Sequence, residues 1–335
     1  MDNLAYKEED PRTRQGNLFK KSIPIMTMTE LEARPKIQWL IDGLIPHNSL
    51  TCIYGPPGSG KSFLALDMAL RLSHGESFEE LDTSLGTVIY LAGEGISGLS
   101  GRVEAWLDSN NKSQGNFFVI DRAVDISKSF AVLIESIQER EISPDLIIID
   151  TLARCFGPND ENSTSDMQKF VMGMDSMRIE LGCTVLVVHH SSRSERLNLR
   201  GNSALEGVLD TIIKVVAQDP RPNENRRTTA KIVKQKDGPA GGTFHYELEP
   251  HLESAILRGL PPNLVEGEAR GSQVGLLVTL RNMIHSPNQW ISAAEWRRAY
   301  PLLGPDFSSV VAKLVALQHI EYKKTGNSDT YRPCN

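Results

Sequence analysis

Gly55-Pro-Pro-Gly-Ser-Gly-Lys-Ser62 follows directly on the apolar run Ser49-Leu-Thr-Cys-Ile-Tyr54. A strand, then Gly-x-x-x-x-Gly-Lys-Ser, then a helix is the context in which a P-loop cradles nucleotide phosphates. The glycines let backbone N–H groups wrap the phosphates. Candidate nucleotide contacts are Gly55, Pro56, Pro57, Gly58, Ser59, Gly60, Lys61, Ser62 and Phe63. Lys61 is expected to reach the β- and γ-phosphates and the Ser62 hydroxyl to ligate a metal, so the expected cofactors are ATP and Mg²⁺.

Outward from this loop, short apolar runs alternate with amphipathic stretches. Strands are predicted at Leu50–Tyr54, Thr87–Ala92, Phe117–Ile120, Asp145–Asp150, Thr184–His189, Thr211–Val216, Thr229–Gln235 and Thr243–Leu248. Helices are predicted at about Lys61–Ser73, Gly98–Ser109, Phe130–Glu139 and Ser165–Leu181. Near-continuous apolar strands separated by helices imply an α/β core with a mostly parallel sheet covered on both faces. The last two strands are joined by the turn-rich Lys236–Gly242 and read as a terminal hairpin.

Pro144-Asp-Leu-Ile-Ile-Ile-Asp150-Thr reads as a Walker B strand, with Asp150 at its end facing the Mg²⁺. Thr151 follows where an acid is common, so the water-activating carboxylate has to come from elsewhere. Glu94, in Leu91-Ala-Gly-Glu-Gly95 at the end of the next strand, is the candidate.

A P-loop, a glutamate after the second strand and a lone Walker B aspartate together resemble the RecA-like ATPases. Within that group residues 37 to 250 look like the DnaB-type and plasmid RepA-type hexameric replicative helicases. Val187-Val-His-His190 ends a strand where these families place a γ-phosphate sensor, and strand register favours His190. Lys231-Ile-Val-Lys234-Gln-Lys236-Asp-Gly-Pro239 resembles the K-x-R-x-G-P hairpin that ring helicases project into a neighbour's nucleotide. The resemblance implies that Lys234 and Lys236 act in trans. Lys236 stands where the family usually has arginine and lacks its bidentate fork. Arg102 is a second candidate for the trans cation.

The segment Ser191–Leu205 corresponds to the loop that lines the ring channel in these families and grips single-stranded DNA. Arg193, Arg196 and Arg200 supply charge, while Gly201 and Ser203 offer phosphate contacts. It has no aromatic for stacking, which implies a sequence-independent grip on the backbone.

The chain is organised as an arm at 1–36, expected to be partly disordered, an ATPase domain at 37–258, a linker at 259–271 and a small domain at 272–335. The last is expected to be a winged helix-turn-helix. Its helices are read at Val274–His285, Ser292–Tyr300 and Asp306–Gln318, and its hairpin at Ile320–Tyr331. Lys323, Lys324 and Arg332 on the wing could hold phosphates. Ser308, Ser309 and Lys313 are modest readers of bases, and Trp290 and Trp296 suit a core or a partner contact better than stacking.

The 335 residues carry 40% apolar and 23% charged residues and a net charge of −6. Arg270–Asn335 is at +4 and the remainder at −10, so a basic tail follows an acidic body. No run approaches the roughly 20 apolar residues that span a bilayer, and the first residues do not read as a signal peptide. Cys52, Cys155, Cys183 and Cys334 are too scattered for a zinc site, and a reducing cytoplasm is expected. The leading expectation is an ATP-driven DNA helicase or translocase that forms a homo-hexameric ring, of the plasmid or phage type. Partners would include single-stranded DNA and a replication initiator or primase, with no membrane. A partner-controlled regulatory ATPase and a recombinase-like filament former are the alternatives. For the latter, Phe19 and Ile23–Ile25 are the candidate polymerisation segment.

Overall fold

A computed structural model describes residues 25–33, 37–191, 203–218, 225–260, 289–299, 307–316, 320–325 and 328–333, with Leu276, Thr279, Leu280, Met283 and Ile284. The chain divides into two compact units, residues 1–36 and 37–335. In the first, α1 (Met28–Glu32) is opened by a capping box in which Thr27 and Glu30 bond each other's backbone N–H groups. The arm, read as lacking order, therefore contains a helical turn.

The second unit begins with a small antiparallel pair, β1 (Trp39–Ile41) and β2 (Ile45–Pro46). The core strands are β3 (Leu50–Gly55), β4 (Val88–Ala92), β5 (Phe117–Ile120), β6 (Leu146–Asp150), β7 (Thr184–His190) and β8 (Thr211–Ala217). They are joined through α2 (Lys61–His74), α3 (Ile96–Ser109), α4 (Ile126–Glu139), α5 (Leu152–Cys155), α6 (Thr164–Leu181) and α7 (Ser203–Val208). β9 (Arg226–Gln235), β10 (Thr243–His251) and β11 (Ser254–Leu260) complete a sheet of nine strands among the described residues.

The sheet order is β11-β10-β9-β8-β3-β7-β6-β4-β5. The six strands from β8 to β5 are parallel, and β9, β10 and β11 extend them antiparallel. The parallel strands are buried on both faces because helices cover both, which explains their unbroken apolar runs. Leu64, Met68 and Trp106 of α2 and α3 pack on one face with Ile53, Tyr90 and Ile148. Ile134, Phe156, Phe170 and Met174 of α4, α5 and α6 pack on the other with Ile89, Ile149 and Val187.

Two boundaries differ from the sequence reading. The expected terminal hairpin is a three-stranded antiparallel extension, because the chain turns back once more at Leu252-Glu253 into β11. Gly259 and Leu260, read as the start of a linker, are the last residues of that strand and pair with Tyr246 and His245.

Residues 289–333 contain β12 (Ile291–Ser292), α8 (Ala293–Ala299), α9 (Phe307–Ala316), β13 (Ile320–Thr325) and β14 (Ser328–Pro333), the strands ordered β12-β14-β13. Ser292 and Glu295 form the capping box that opens α8. This region has its own apolar cluster around Trp296, Phe307, Leu314, Ile320 and Tyr331. Trp296 is a core residue, as expected, with its indole N–H on the Leu276 carbonyl. The Trp290 ring lies beneath Lys323 and Arg332. The remainder of the helix read at 274–285, the linker from 261, and the side chains of Ser309 and Lys313 lie outside the described residues.

Candidate nucleotide site

The carboxyl ends of β3, β4, β6 and β7 converge on one edge of the sheet, the edge at which open α/β sheets bind ligands. β3 leads through residues 56–60 into α2. Gly58 and Gly60 adopt φ of 73° and 89°, the left-handed region that favours glycine. A Cβ on Gly55 would sit 2.0 Å from the Val215 carbonyl oxygen of β8. That oxygen belongs to the sheet and cannot swing away. Gly55→Ala should therefore cost about 1–3 kcal/mol by overpacking and weaken nucleotide binding, read by calorimetric melting and by titration with a fluorescent ADP analogue.

Lys61, nearly buried, donates from Nζ to the Pro56 carbonyl at 2.8 Å. Burial lowers its pKa, and the charges of Asp150 and Glu94 act in the opposite direction. Asp150 pairs in register with Ala92 of β4 and Val188 of β7. The Tyr90 hydroxyl donates to Asp150 Oδ2 at 2.5 Å, and the Ser62 hydroxyl also bonds this carboxyl. Burial raises the Asp150 pKa in spite of those two bonds. Asp150 Oδ1 is buried and has no hydrogen-bond partner. A buried carboxylate oxygen without a donor, beside a serine hydroxyl, is the donor chemistry that Mg²⁺ requires. The residues thus fit the metal.

Glu94 is exposed just beyond β4 and accepts from the Thr151 hydroxyl at 3.2 Å. The N–H groups of Gly93 and Glu94 both donate to the Asp150 carbonyl, at 2.7 and 3.2 Å. These bonds tie Glu94 to the end of β6. His190 pairs with Gly55, and the next residue, Ser191, donates its N–H to the Gly55 carbonyl at 3.1 Å. Strand alternation puts His190 with Leu186 and Val188 on the α2 face, while His189 follows Val185 and Val187 to the other.

Arg102, read as a candidate for action in trans, turns to its own chain's site. Its guanidinium lies 4.8 Å from the Phe63 ring centroid, within electrostatic reach of Asp150 and Tyr90. Lys234 and Lys236 lie toward the amino-terminal edge of the parallel strands, since Ile212 and Thr211 at the start of β8 pair with Lys234 and Gln235. Lys234 Nζ donates to the Glu206 carbonyl at 2.7 Å, and Lys236 Nζ to Asp210 Oδ1 at 2.8 Å and the Val208 carbonyl at 3.3 Å. Both lysines thus hold the carboxyl end of α7. Arg193, Arg196, Arg200, Gly201 and the side chain of Ser203 lie outside the described residues.

The sequence reading missed two sets of contacts to this site. Tyr90 was read only as one residue of a strand. Arg226 and Thr228, at the start of β9, brace the loop from the antiparallel side. Arg226 Nη1 donates to the Gly58 carbonyl at 2.7 Å and Thr228 Oγ1 to the Ser59 carbonyl at 3.2 Å. The predicted strand began only at Thr229. The signal in Tyr90 was a lone hydroxyl-bearing residue in an otherwise aliphatic strand.

Fold and site together define a RecA-like P-loop ATPase. The family model of the AAA domain (AAA_25) matches residues 26–196, and the chain belongs to this family. Among curated proteins, the DNA repair protein RadA of Streptococcus pneumoniae (strain ATCC BAA-255 / R6) is 25% identical over 253 residues, which are 73% of this chain and 51% of RadA. The chain thus spans about half the length of that relative. Among solved structures, a helicase-like ATPase domain superposes with a TM-score of 0.50 at 16% identity, covering 68% of this chain and 95% of that one. A KaiC-like protein, PH0186 from Pyrococcus horikoshii OT3, superposes with a TM-score of 0.45 at 12% identity over 65% of this chain and 93% of that one. Among the described residues no helix is long and apolar enough to cross a membrane, and no cluster of His, Cys, Asp and Glu could hold a metal ion by itself.

Proposed function

We propose that this protein is an ATP-driven motor on single-stranded DNA, a helicase or translocase that works as a homo-hexameric ring in replication. The observation that carries the reading is the separation of two sets of cations. Lys61 and Arg102 serve the chain's own nucleotide site. Lys234 and Lys236 lie toward the other edge of the sheet, where a lysine side chain has no path to that site. A neighbouring subunit's γ-phosphate is the target that gives them a role.

In this reading Gly55 to Phe63 hold the phosphates, and Lys61 neutralises charge that builds on the γ-phosphoryl oxygens. Ser62 and Asp150 hold Mg²⁺, which when bound offsets charge on the β- and γ-phosphates. Glu94, oriented by Thr151, takes the proton of the attacking water. His190, beside Gly55, reports the state of the γ-phosphate to the chain that follows it. That chain is residues 191–203, which grips DNA through Arg193, Arg196, Arg200, Gly201 and Ser203. Residues 289–333, with two helices followed by a hairpin, are a winged helix that binds DNA or a replication partner such as an initiator or primase. The fold shared with the helicase-like ATPase domain supports the motor core. The protein works in the cytoplasm.

The test is the steady-state ATPase rate with and without single-stranded DNA. DNA should stimulate hydrolysis, and Arg200→Glu should remove most of that stimulation. The salt slope of binding, log K against log[salt], should also shrink by about 0.7 for each phosphate the variant no longer neutralises. An ATPase rate indifferent to DNA would end the motor reading in this form. The similarity to RadA, a DNA repair protein, favours a second reading, an open filament acting in repair. Electron microscopy with ATP and DNA separates the two, a closed ring supporting the first and an open helix the second.

A further inference from the structure

We infer that Tyr90 is a positioning residue that sets the Asp150 carboxylate for Mg²⁺; the inference rests on the magnesium-nucleotide reading of the site. Tyr90 sits in the middle of β4 among Val88, Ile89, Leu91 and Ala92, and it is fully buried. A tyrosine in such a place has to find a partner for its hydroxyl. Phenylalanine would fill the same space without that demand. The partner here is not a backbone carbonyl of the neighbouring strand but Asp150 Oδ2, at 2.5 Å.

The geometry gives the bond a second consequence. A carboxylate's terminal torsion is broad and close to two-fold, so an aspartate at a strand end turns easily. Fixing Oδ2 against β4 fixes where Oδ1 points. Oδ1 is the atom left buried without a hydrogen-bond partner. Two charged groups would otherwise pull the carboxylate away: Lys61 and Arg102 both act on Asp150 electrostatically. A neutral phenol is suited to resist them. It donates one strong bond to the ionised carboxylate and adds no positive charge to repel a metal. Outer-shell donors of this kind orient ligating carboxylates, and their loss typically costs 10–100-fold in metal affinity.

Tyr90→Phe removes one oxygen and keeps the ring. The readout is binding of a fluorescent ADP analogue, titrated with Mg²⁺ and repeated in EDTA. Tyr90→Phe should raise the Mg²⁺ concentration for half-maximal binding by about 10–100-fold, with affinity in EDTA unchanged. A hydroxyl that merely satisfies itself in the core would leave the Mg²⁺ midpoint where it was, and that result in a folded variant overturns the inference. Should Tyr90→Phe fail to fold, 4-aminophenylalanine and 4-methylphenylalanine at position 90 make the same comparison at constant volume, one with a donor and one without. Equal Mg²⁺ midpoints for that pair likewise overturn it. The unsubstituted protein separates the two levels of the argument. If its nucleotide affinity is the same with Mg²⁺ and in EDTA, the magnesium-nucleotide reading fails and the inference falls with it. If it depends on Mg²⁺ and Tyr90→Phe depends on it equally, only the role of Tyr90 fails.

Discussion

Lys61→Ala should lower the ATP hydrolysis rate by about 10²–10³-fold, the loss typical of removing one preorganised donor to a developing charge. The ammonium is nearly buried at the start of α2, and its bond to the Pro56 carbonyl keeps it over the loop. Its environment already disfavours the charge, since burial lowers its pKa. A phosphate would relieve that penalty, so the lysine is poised to bind one. Alanine leaves the loop's backbone N–H groups in place, so nucleotide still binds, though more weakly. A coupled assay of phosphate release, alongside nucleotide titration, separates the two effects. A variant that hydrolyses ATP at the unsubstituted rate would remove this loop from the chemistry.

Asp67→Ala should destabilise the protein by about 3–5 kcal/mol, the cost of leaving a buried partner charge uncompensated. Asp67 is 4% exposed. It accepts from the Trp106 indole N–H at 2.7 Å and from Arg71 Nε at 2.8 Å. One carboxylate thus joins α2 to α3 and balances the Arg71 guanidinium. Its removal strands two donors in the core at once. The loss is a large share of the 5–15 kcal/mol that holds a typical domain together. Asp67→Asn keeps an oxygen for Trp106 and should cost less. Chemical denaturation monitored by tryptophan fluorescence gives both values, and near-identical midpoints for the two variants would show that the charge facing Arg71 contributes little.

Much of this structure was legible because the parallel sheet is buried on both faces. Leu-Ile-Ile-Ile-Asp150 and Thr-Val-Leu-Val-Val-His189 declare themselves as strands by unbroken apolar character, and each ends in the residue that serves the site. The phosphate loop was legible because its glycines carry backbone requirements that no other residue meets. β11 was not, because Leu252-Glu253 contains neither Gly nor Asn. Leu252 nevertheless takes a φ of 49°, so the chain turns without a turn signature. α1 did have a signature, Thr27-x-x-Glu30, but it lies in a stretch with no hydrophobic period to draw attention to it. Tyr90 and Arg226 were invisible for a different reason. Their partners are Asp150 and Gly58, and only strand pairing brings them together. Local pattern gives the elements, and long-range register gives the contacts between them.

β9 ties two distant parts of the ATPase core together. Its first residue, Arg226, is bonded to the phosphate loop, while Lys234 and Lys236, at and just beyond its other end, grip α7. Ten residues of extended chain span about 30 Å. Hydrogen bonds to β8 and β10 on either side leave that length little freedom to stretch or buckle. The strand therefore acts as a pushrod. A displacement of the phosphate loop is carried to α7 undiminished, and α7 stands at the far end of the segment that begins after β7.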